Sequence, residues 1–235
     1  MGQETYLGVG LYSVPEAARI IGVKTAKLRR WVSEYAYEMR NVQYYHRPII
    51  QRFFGDGDQP IVFLELVELL FVRLFRREGV SMQTIRKAAR SAAQLFETPY
   101  PFAVKRFDTD GKRIFATLLQ SARAEESPDR RFIEELGKGQ LVFESVASLF
   151  FRKLDFGYAE ALRYWPLGRE GRIVLDPERS FGKPIDAQTG VPTRALHDAV
   201  YTGGERPEVV AEWFDVPLVA VKTAVAYEDS LLEAA

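Results

Sequence analysis

The sequence predicts a mainly α-helical chain with small β elements, an α+β class. Three observations carry this. Short amphipathic segments open on capping residues near both ends of the chain. One block, 63–75, is too uniformly apolar for a surface helix. The stretches between them are rich in aromatic residues and lack helical period.

The first element is a short helix from Ser13. Ser13 suits the N-cap, Pro15 the first turn and Glu16 the N3 position, which together make a capping box. Ala17, Ile20 and Ile21 form its apolar face, and Gly22 ends it as a residue able to take positive φ. A second helix follows from Lys24 to Val32. At about 100° per residue Leu28, Trp31 and Val32 share one side, Ala26, Arg29 and Arg30 take the other, and Lys27 lies at the edge. Two short helices around a glycine turn, the second with an apolar back and a basic front, have the pattern of a helix-turn-helix. Arginine and lysine on such a front neutralise phosphate and read guanine edges. A helical hairpin with a solvated charged face has the same pattern.

Residues 38–54 are rich in Arg, Tyr and Phe and predict short strands or a wing. Arg40, Asn41, His46, Arg47 and Arg52 are its candidates for phosphate or minor-groove contact, and Tyr44 and Tyr45 suit core or contact equally. Gly55-Asp56-Gly57-Asp58 is a turn with too few ligands for a calcium loop. The helix over Phe63–Phe75 must be buried on more than one side, within its domain or against a second copy, and Gly79 ends it. Ser81 caps a fourth helix with the stripe Ile85, Ala88, Ala89, Ala92 and Phe96. Arg86, Lys87 and Arg90 lie off that stripe, either as a solvated face or as further phosphate contacts.

After a break at 98–101, a hairpin is expected around Asp108-Thr109-Asp110-Gly111, with flanks at Phe102–Phe107 and Arg113–Thr117. One strand or helix is expected near Gln140–Phe151. The aromatic residues from Phe143 to Trp165 suit a core better than a partner surface. A strand is expected at Gly171–Asp176. Three helices then follow. Thr193–Tyr201 packs Leu196, Ala199 and Val200. Glu208–Phe214 packs Val209, Val210, Trp213 and Phe214. The last, from Pro217, packs Leu218, Val221, Ala224, Val225 and Leu232. The expected organisation is 1–97, 98–165 as a middle linker or interaction segment, and a helical module at 166–235.

Composition narrows the function. The chain has 235 residues and no cysteine, which excludes disulfides, thiolate metal sites and a cysteine nucleophile. Two histidines leave little for a metal centre. His197 and Asp198 are adjacent and are expected to point to different helix faces, so no catalytic triad is expected there. The lone Gly182-Lys183 lacks phosphate-loop spacing. The expectation is a binding protein rather than an enzyme, without cofactor or metal. The longest apolar stretch, Ile61–Phe75, carries Glu65, Glu68 and Arg73, and no signal segment is seen, so a soluble cytoplasmic protein is expected. Charge is uneven: Lys and Arg outnumber Asp and Glu 14 to 10 over residues 1–100, and Asp and Glu lead 12 to 7 over 166–235. Such a split suits two different partners.

Lys27-Leu28-Arg29-Arg30-Trp31, the aromatic-basic stretch after it, and two helices divided by Arg77-Glu78-Gly79-Val80-Ser81 resemble the winged helix-turn-helix of MerR-type regulators over about residues 10–96. The resemblance implies that Lys24, Thr25, Lys27, Arg29 and Arg30 face the major groove of duplex operator DNA, with Arg40 and Arg47 on the wing. The wing lacks the usual Gly-Tyr-Arg run. The order of Asp176-Pro177, Gly182-Lys183-Pro184, Val191-Pro192, Gly203, Pro207-Glu208, Trp213-Phe214, Val221, Ala224 and Tyr227 resembles the domain-of-unknown-function family 433, often found in antitoxins. A head and tail of these kinds together resemble the larger VapB-type antitoxins. That implies two jobs: neutralising a PIN-domain ribonuclease toxin and repressing the shared operon. A MerR-like transcriptional regulator without a toxin is the competing expectation.

Helix-turn-helix proteins commonly bind two half-sites, and the block at 63–75 carries more apolar surface than one core face needs, so a homodimer is expected. Light scattering at micromolar concentration should return twice the chain mass; a monomer would remove the expectation.

Overall fold

The computed structural model describes residues 8–39, 42–55, 57–104 and 148–233. Strand β1 (Leu11–Tyr12) leads into helix α1 (Val14–Ile21). The capping box forms as the sequence requires: the Ser13 hydroxyl accepts the Glu16 amide at 3.3 Å, and the Glu16 carboxylate accepts the Ser13 amide at 2.9 Å. Such a cap is worth about 1 kcal/mol. Gly22 stands at φ 71°, where its amide reaches back to the last carbonyls of α1. Helix α2 (Thr25–Val32) buries Leu28, Trp31 and Val32 against α1.

Strands β2 (Tyr35–Met39) and β3 (Val42–His46) form an antiparallel hairpin with Tyr35 opposite His46 and Met39 opposite Val42. The hairpin begins three residues before the stretch singled out in the sequence. After β3 the chain leaves the ladder; Ile49 donates its amide to the Trp31 carbonyl at 2.8 Å and is buried with Ile50. Arg52 corrects an expectation. Its side chain is buried, donates to the carbonyls of Val32 (3.0 Å), Gln59 (2.9 Å) and Pro60 (3.1 Å), and lies 3.4 Å from Glu65. It folds the loop and is not available to phosphate.

Strand β4 (Ile61–Val62) pairs with β1 and runs directly into helix α3 (Phe63–Arg77). Its apolar surplus is absorbed inside the chain. Phe71 packs against Phe102, Phe150 and Phe151 at ring distances of 5.3, 4.5 and 5.0 Å. So Phe150 and Phe151 belong to the core, while Tyr158 is fully exposed and Phe143 lies outside the described residues; α3 gives no separate argument for a dimer. Gly79 stands at φ 78° beyond the end of α3, and Ser81 caps helix α4 (Met82–Phe96) by accepting the Thr84 amide at 3.1 Å.

Of the middle expectations, the hairpin around Asp108–Gly111 lies outside the described residues. Its first flank is not a strand at Phe102–Val104, which form a turn with one bridge from Val104 to Glu160. Residues 148–151 are helical; the rest of Gln140–Phe151 lies outside the described residues. Four short strands then form one antiparallel sheet in chain order: β5 (Leu154–Phe156), β6 (Ala161–Tyr164), β7 (Ile173–Leu175) and β8 (Pro184–Asp186). Tyr164 faces Leu175 across β6 and β7, so the sheet straddles the boundary expected at 165/166.

Helices α5 (Thr193–Tyr201), α6 (Pro207–Trp213) and α7 (Leu218–Glu233) enclose a second core of Leu196, Val210, Ala211, Val216, Ala220, Val221 and Ala224. Two expectations fail here. Trp213 is 64 % exposed and Phe214 36 %. Helix α6 has under two turns and spends its inner face on Val210 and Ala211, leaving the ring residues outside where Asp215 turns the chain at φ 50°. Leu232 is also exposed; Leu231, seven residues after Ala224 and so on the same helix face, takes the buried place.

The two ends of the chain meet. The Tyr12 hydroxyl donates to the Gly182 carbonyl at 2.6 Å, and Lys183 pairs with Glu16 at 2.5 Å. Arg19 lies 3.7 Å from Glu228, and Ile20 packs against Ile173, Tyr227 and Leu231. A Cβ at Gly182 would meet the Tyr12 hydroxyl at 2.6 Å, so only glycine permits this approach.

Glu68 is buried in α3, where one oxygen accepts the amides of Phe102 (2.6 Å) and Ala103 (2.9 Å). Burial pushes its carboxyl well above the ordinary glutamate value despite those bonds. A folded-state value raised above the unfolded one means the folded chain binds more protons, so stability falls as pH rises above about 4.5. Glutamine keeps the accepting oxygen without the charge. Glu68→Gln should match the wild type in urea unfolding near pH 4.5 and become the more stable of the two by pH 8, by up to roughly 1.4 kcal/mol per pH unit inside the window. A constant difference across that range would reject the assignment.

Candidate nucleic-acid interface

Helix α2 presents its unburied face as a row of cations. Lys24 is its N-cap residue, and Lys24, Lys27, Arg29 and Arg30 are exposed, with Thr25 half-buried at the first turn. The apolar residues of α2 hold that face outward: Leu28 and Val32 are fully buried and Trp31 nearly so. The Lys27 ammonium stands 5.5 Å from the centre of the Trp31 ring, which limits where it can swing. Arg29 donates to Asp58 at 2.8 Å. Both partners are at least half exposed, so the pair contributes little stability, but it fixes the direction of the guanidinium. Asp58 comes from the loop before β4, the turn at Gly55–Asp58.

The wing lies next in sequence to this row, with Tyr45 exposed on β3 and Arg47 exposed just beyond it. Arg40 and Asn41 lie outside the described residues, so Arg40 has no place in this geometry. Arg47 borders a groove of about 790 Å³ whose other wall is α4, where Arg86, Lys87 and Arg90 project. Sequence spacing cannot show this grouping, because some forty residues separate Arg47 from Arg86. The sequence hints at it only in that three cations of α4 fall off its apolar stripe. The sequence-predicted residues therefore divide into two groups: Lys24, Lys27, Arg29 and Arg30 on α2, and Arg47 with the α4 cations in the groove.

His197 is a correction. Its Nδ1 lies 3.2 Å from Asp198 and its Nε2 3.2 Å from Asp229, which also accepts the Tyr201 hydroxyl at 3.1 Å. The adjacent pair meets because the Asp198 side chain folds back over the ring while α7 brings Asp229 from the other side. Asp198 also takes Arg194 at 2.9 Å, and the Arg194 bond and the imidazole together hold its carboxyl below the usual range. The Tyr201 ring lies 4.7 Å from the imidazole, but its hydroxyl is bonded to Asp229 and not to the ring. The group reads as a tie between α5 and α7.

This geometry and the family match define one class. Residues 10–89 match the model of a family described as "Putative DNA-binding HTH domain", and α1, α2, the hairpin, α3 and most of α4 fall inside that span, so the chain carries an N-terminal helix-turn-helix domain. Over 210 residues the chain is 29 % identical to a protein of Mycobacterium tuberculosis (strain ATCC 25618 / H37Rv) named "Putative antitoxin VapB45", covering 80 % of this chain and 81 % of that protein. The crystal structure of Rv2018 from Mycobacterium tuberculosis superposes with a TM-score of 0.66 at 22 % identity, covering 93 % of this chain and 98 % of that one. It shows that the whole arrangement is a shared fold. None of the described helices is long and apolar enough to cross a membrane.

Replacing both Arg29 and Arg30 by alanine should weaken binding to duplex DNA and reduce the slope of log K against log salt by about two, one for each phosphate no longer neutralised. Thermal unfolding should move by no more than roughly 0.5 kcal/mol, since both side chains are at the surface. An unchanged salt slope in an electrophoretic or fluorescence titration would show that α2 is not the binding helix.

Proposed function

We propose that this chain is the antitoxin of a toxin–antitoxin pair: it holds operator DNA through its N-terminal domain and neutralises a PIN-domain ribonuclease through its C-terminal part. The observation that carries this reading is the extent of the similarity to the protein named putative antitoxin VapB45. It runs over 80 % of the chain and is not confined to the helix-turn-helix span of residues 10–89. In this reading Lys24, Thr25, Lys27, Arg29 and Arg30 enter the major groove. Arg47 and Arg40 serve the wing, and two copies meet two half-sites. The protein acts in the cytoplasm by binding alone, as a non-enzymatic regulator.

The C-terminal helices have the wrong charge for DNA but suit a basic protein. Trp213 and Phe214 stand exposed on and just after α6, among the exposed carboxylates Glu208, Glu212 and Asp215. Exposed tryptophan is a frequent anchor of protein interfaces, and surrounding carboxylates speed the approach of a cationic partner.

Deleting residues 166–235 would not test this cleanly, since it removes β7 and β8 from the sheet and Leu175 from the main core. A Trp213→Ser/Glu212→Lys variant alters only exposed side chains. Co-expressed with a PIN-domain ribonuclease toxin, the wild type should protect cells and co-purify with the toxin. The variant should lose protection at least tenfold while shifting operator DNA as the wild type does. Full protection by the variant would remove α6 from the neutralising surface, and absence of any co-purifying toxin with the wild type would overturn the antitoxin reading.

A further inference from the structure

A second cavity, of about 310 Å³, opens where the helix-turn-helix domain meets the four-stranded sheet. One wall comes from Val9, Val62 and Phe63, at the β1–β4 ladder and the start of α3; the other comes from Ala161, Leu162 and Pro177, on β6 and after β7. Val62, Phe63 and Ala161 are buried and form an apolar floor. At the mouth stand two of the large apolar side chains that the fold leaves open, Phe53 at 53 % and Leu162 at 50 % exposure. Both line the same cavity, so one apolar body seated there would cover both.

The charges at the rim are lopsided. Arg163 and Asp176 neutralise one another across 2.8 Å. Glu160 and Glu178 remain, both exposed and without an ion pair among the described residues. An anionic ligand would meet two unbalanced carboxylates, and a neutral one would leave them idle. At roughly 30 Å³ per water the space equals about ten waters, room for a body of ten to fifteen non-hydrogen atoms. It sits at the lower end of the range for small-molecule sites, about 300–1,000 Å³.

From these features we infer that the cavity is a binding site for a small organic cation, an aromatic or aliphatic body carrying a protonated amine. The amine sits between Glu160 and Glu178, and the apolar body covers Phe53 and Leu162. The site is separate from the α2 face, and its occupancy does not depend on what the C-terminal helices bind. Because its two walls belong to the helix-turn-helix domain and to the sheet, an occupant bridges them.

Tryptamine, indole and indole-3-acetate share one ring system and differ in charge, so calorimetric titration of the full chain with each separates the contribution of charge from that of the apolar body. Tryptamine should bind with a dissociation constant on the order of a millimolar or tighter, the affinity expected of a dozen-atom ligand. Indole should bind at least fivefold more weakly, and indole-3-acetate should show no saturation. Glu160→Gln/Glu178→Gln, two changes at the surface, should weaken tryptamine about tenfold and leave indole unchanged. Leu162→Arg places a cation in the mouth and should abolish tryptamine binding. Equal affinity for the three probes, tryptamine binding that survives both variants, or no tryptamine binding at 10 mM (roughly ten times the expected constant) would each overturn the assignment. Operator binding measured on the same preparations reports separately on the α2 face.

Discussion

Two carboxylates inside an apolar helix organise the N-terminal half of this molecule. Helix α3 is buried on nearly every side, and in such a position a charged residue is costly unless it is bonded. Glu65 and Glu68 are bonded, to backbone amides of the segments packed around α3. Glu65 accepts the amides of Phe53 (2.5 Å) and Val62 (3.0 Å) and faces Arg52. Glu68 accepts those of Phe102 and Ala103. The loop leaving the wing and the turn after α4 are irregular, and the two carboxylates give their amides acceptors; Ala103 also donates to the Tyr100 carbonyl at 3.1 Å. Apolar packing places α3; its two glutamates place the loops around it. Burial raises both carboxyls above the ordinary glutamate value, so this arrangement is the more comfortable the lower the pH.

The same helix links the basic face of α2 to the rest of the chain. β4 runs into α3 without a break and pairs with β1, which runs into α1, so the helix-turn-helix pair is mounted on the β1–β4 ladder. The C-terminal part grips the same region through Tyr12–Gly182, Glu16–Lys183 and Arg19–Glu228. Residues some 170 to 210 apart in sequence thus meet at β1 and α1. Glu16 is both the capping residue of α1 and the partner of Lys183, so one carboxylate serves the local helix start and the long-range contact. The Lys183 ammonium and the Ser13 bonds together outweigh its partial burial and hold its carboxyl below the ordinary value.

Local rules made much of this visible in the sequence. Capping residues and glycines marked both ends of α1 and the start of α4, because caps depend on neighbours three or four residues away. The split of α2 into an apolar back and a basic front was legible for the same reason. The sheet was not. Its strands have three or four residues, too short for an alternation to register, and β8 opens with Pro184. The exposure of Trp213 was hidden because an aromatic residue near a helix end reads as core by default, and only the shortness of α6 sends it outward. The cavity walls come from four separate stretches of chain, so no sequence window contains them.

Arginine shows most plainly why composition alone cannot locate a binding face. Arg29, Arg47 and Arg52 all lie in the basic first 54 residues, where Lys and Arg outnumber Asp and Glu 8 to 4. Arg52 gives its donors to four carbonyls and is as buried as a core leucine. Arg29 holds one exposed carboxylate that a phosphate can replace, because a surface pair of this kind is worth about 1 kcal/mol or less. Arg47 is exposed at the edge of a groove that Arg86, Lys87 and Arg90 also line. The same side chain is a structural clamp, one half of an exposed ion pair and a residue at the edge of a groove within 24 residues of chain. What separates the three is how many acceptors are already in place around each guanidinium. An arginine whose donors are met by buried carbonyls has nothing left for DNA, however favourable its position in the sequence.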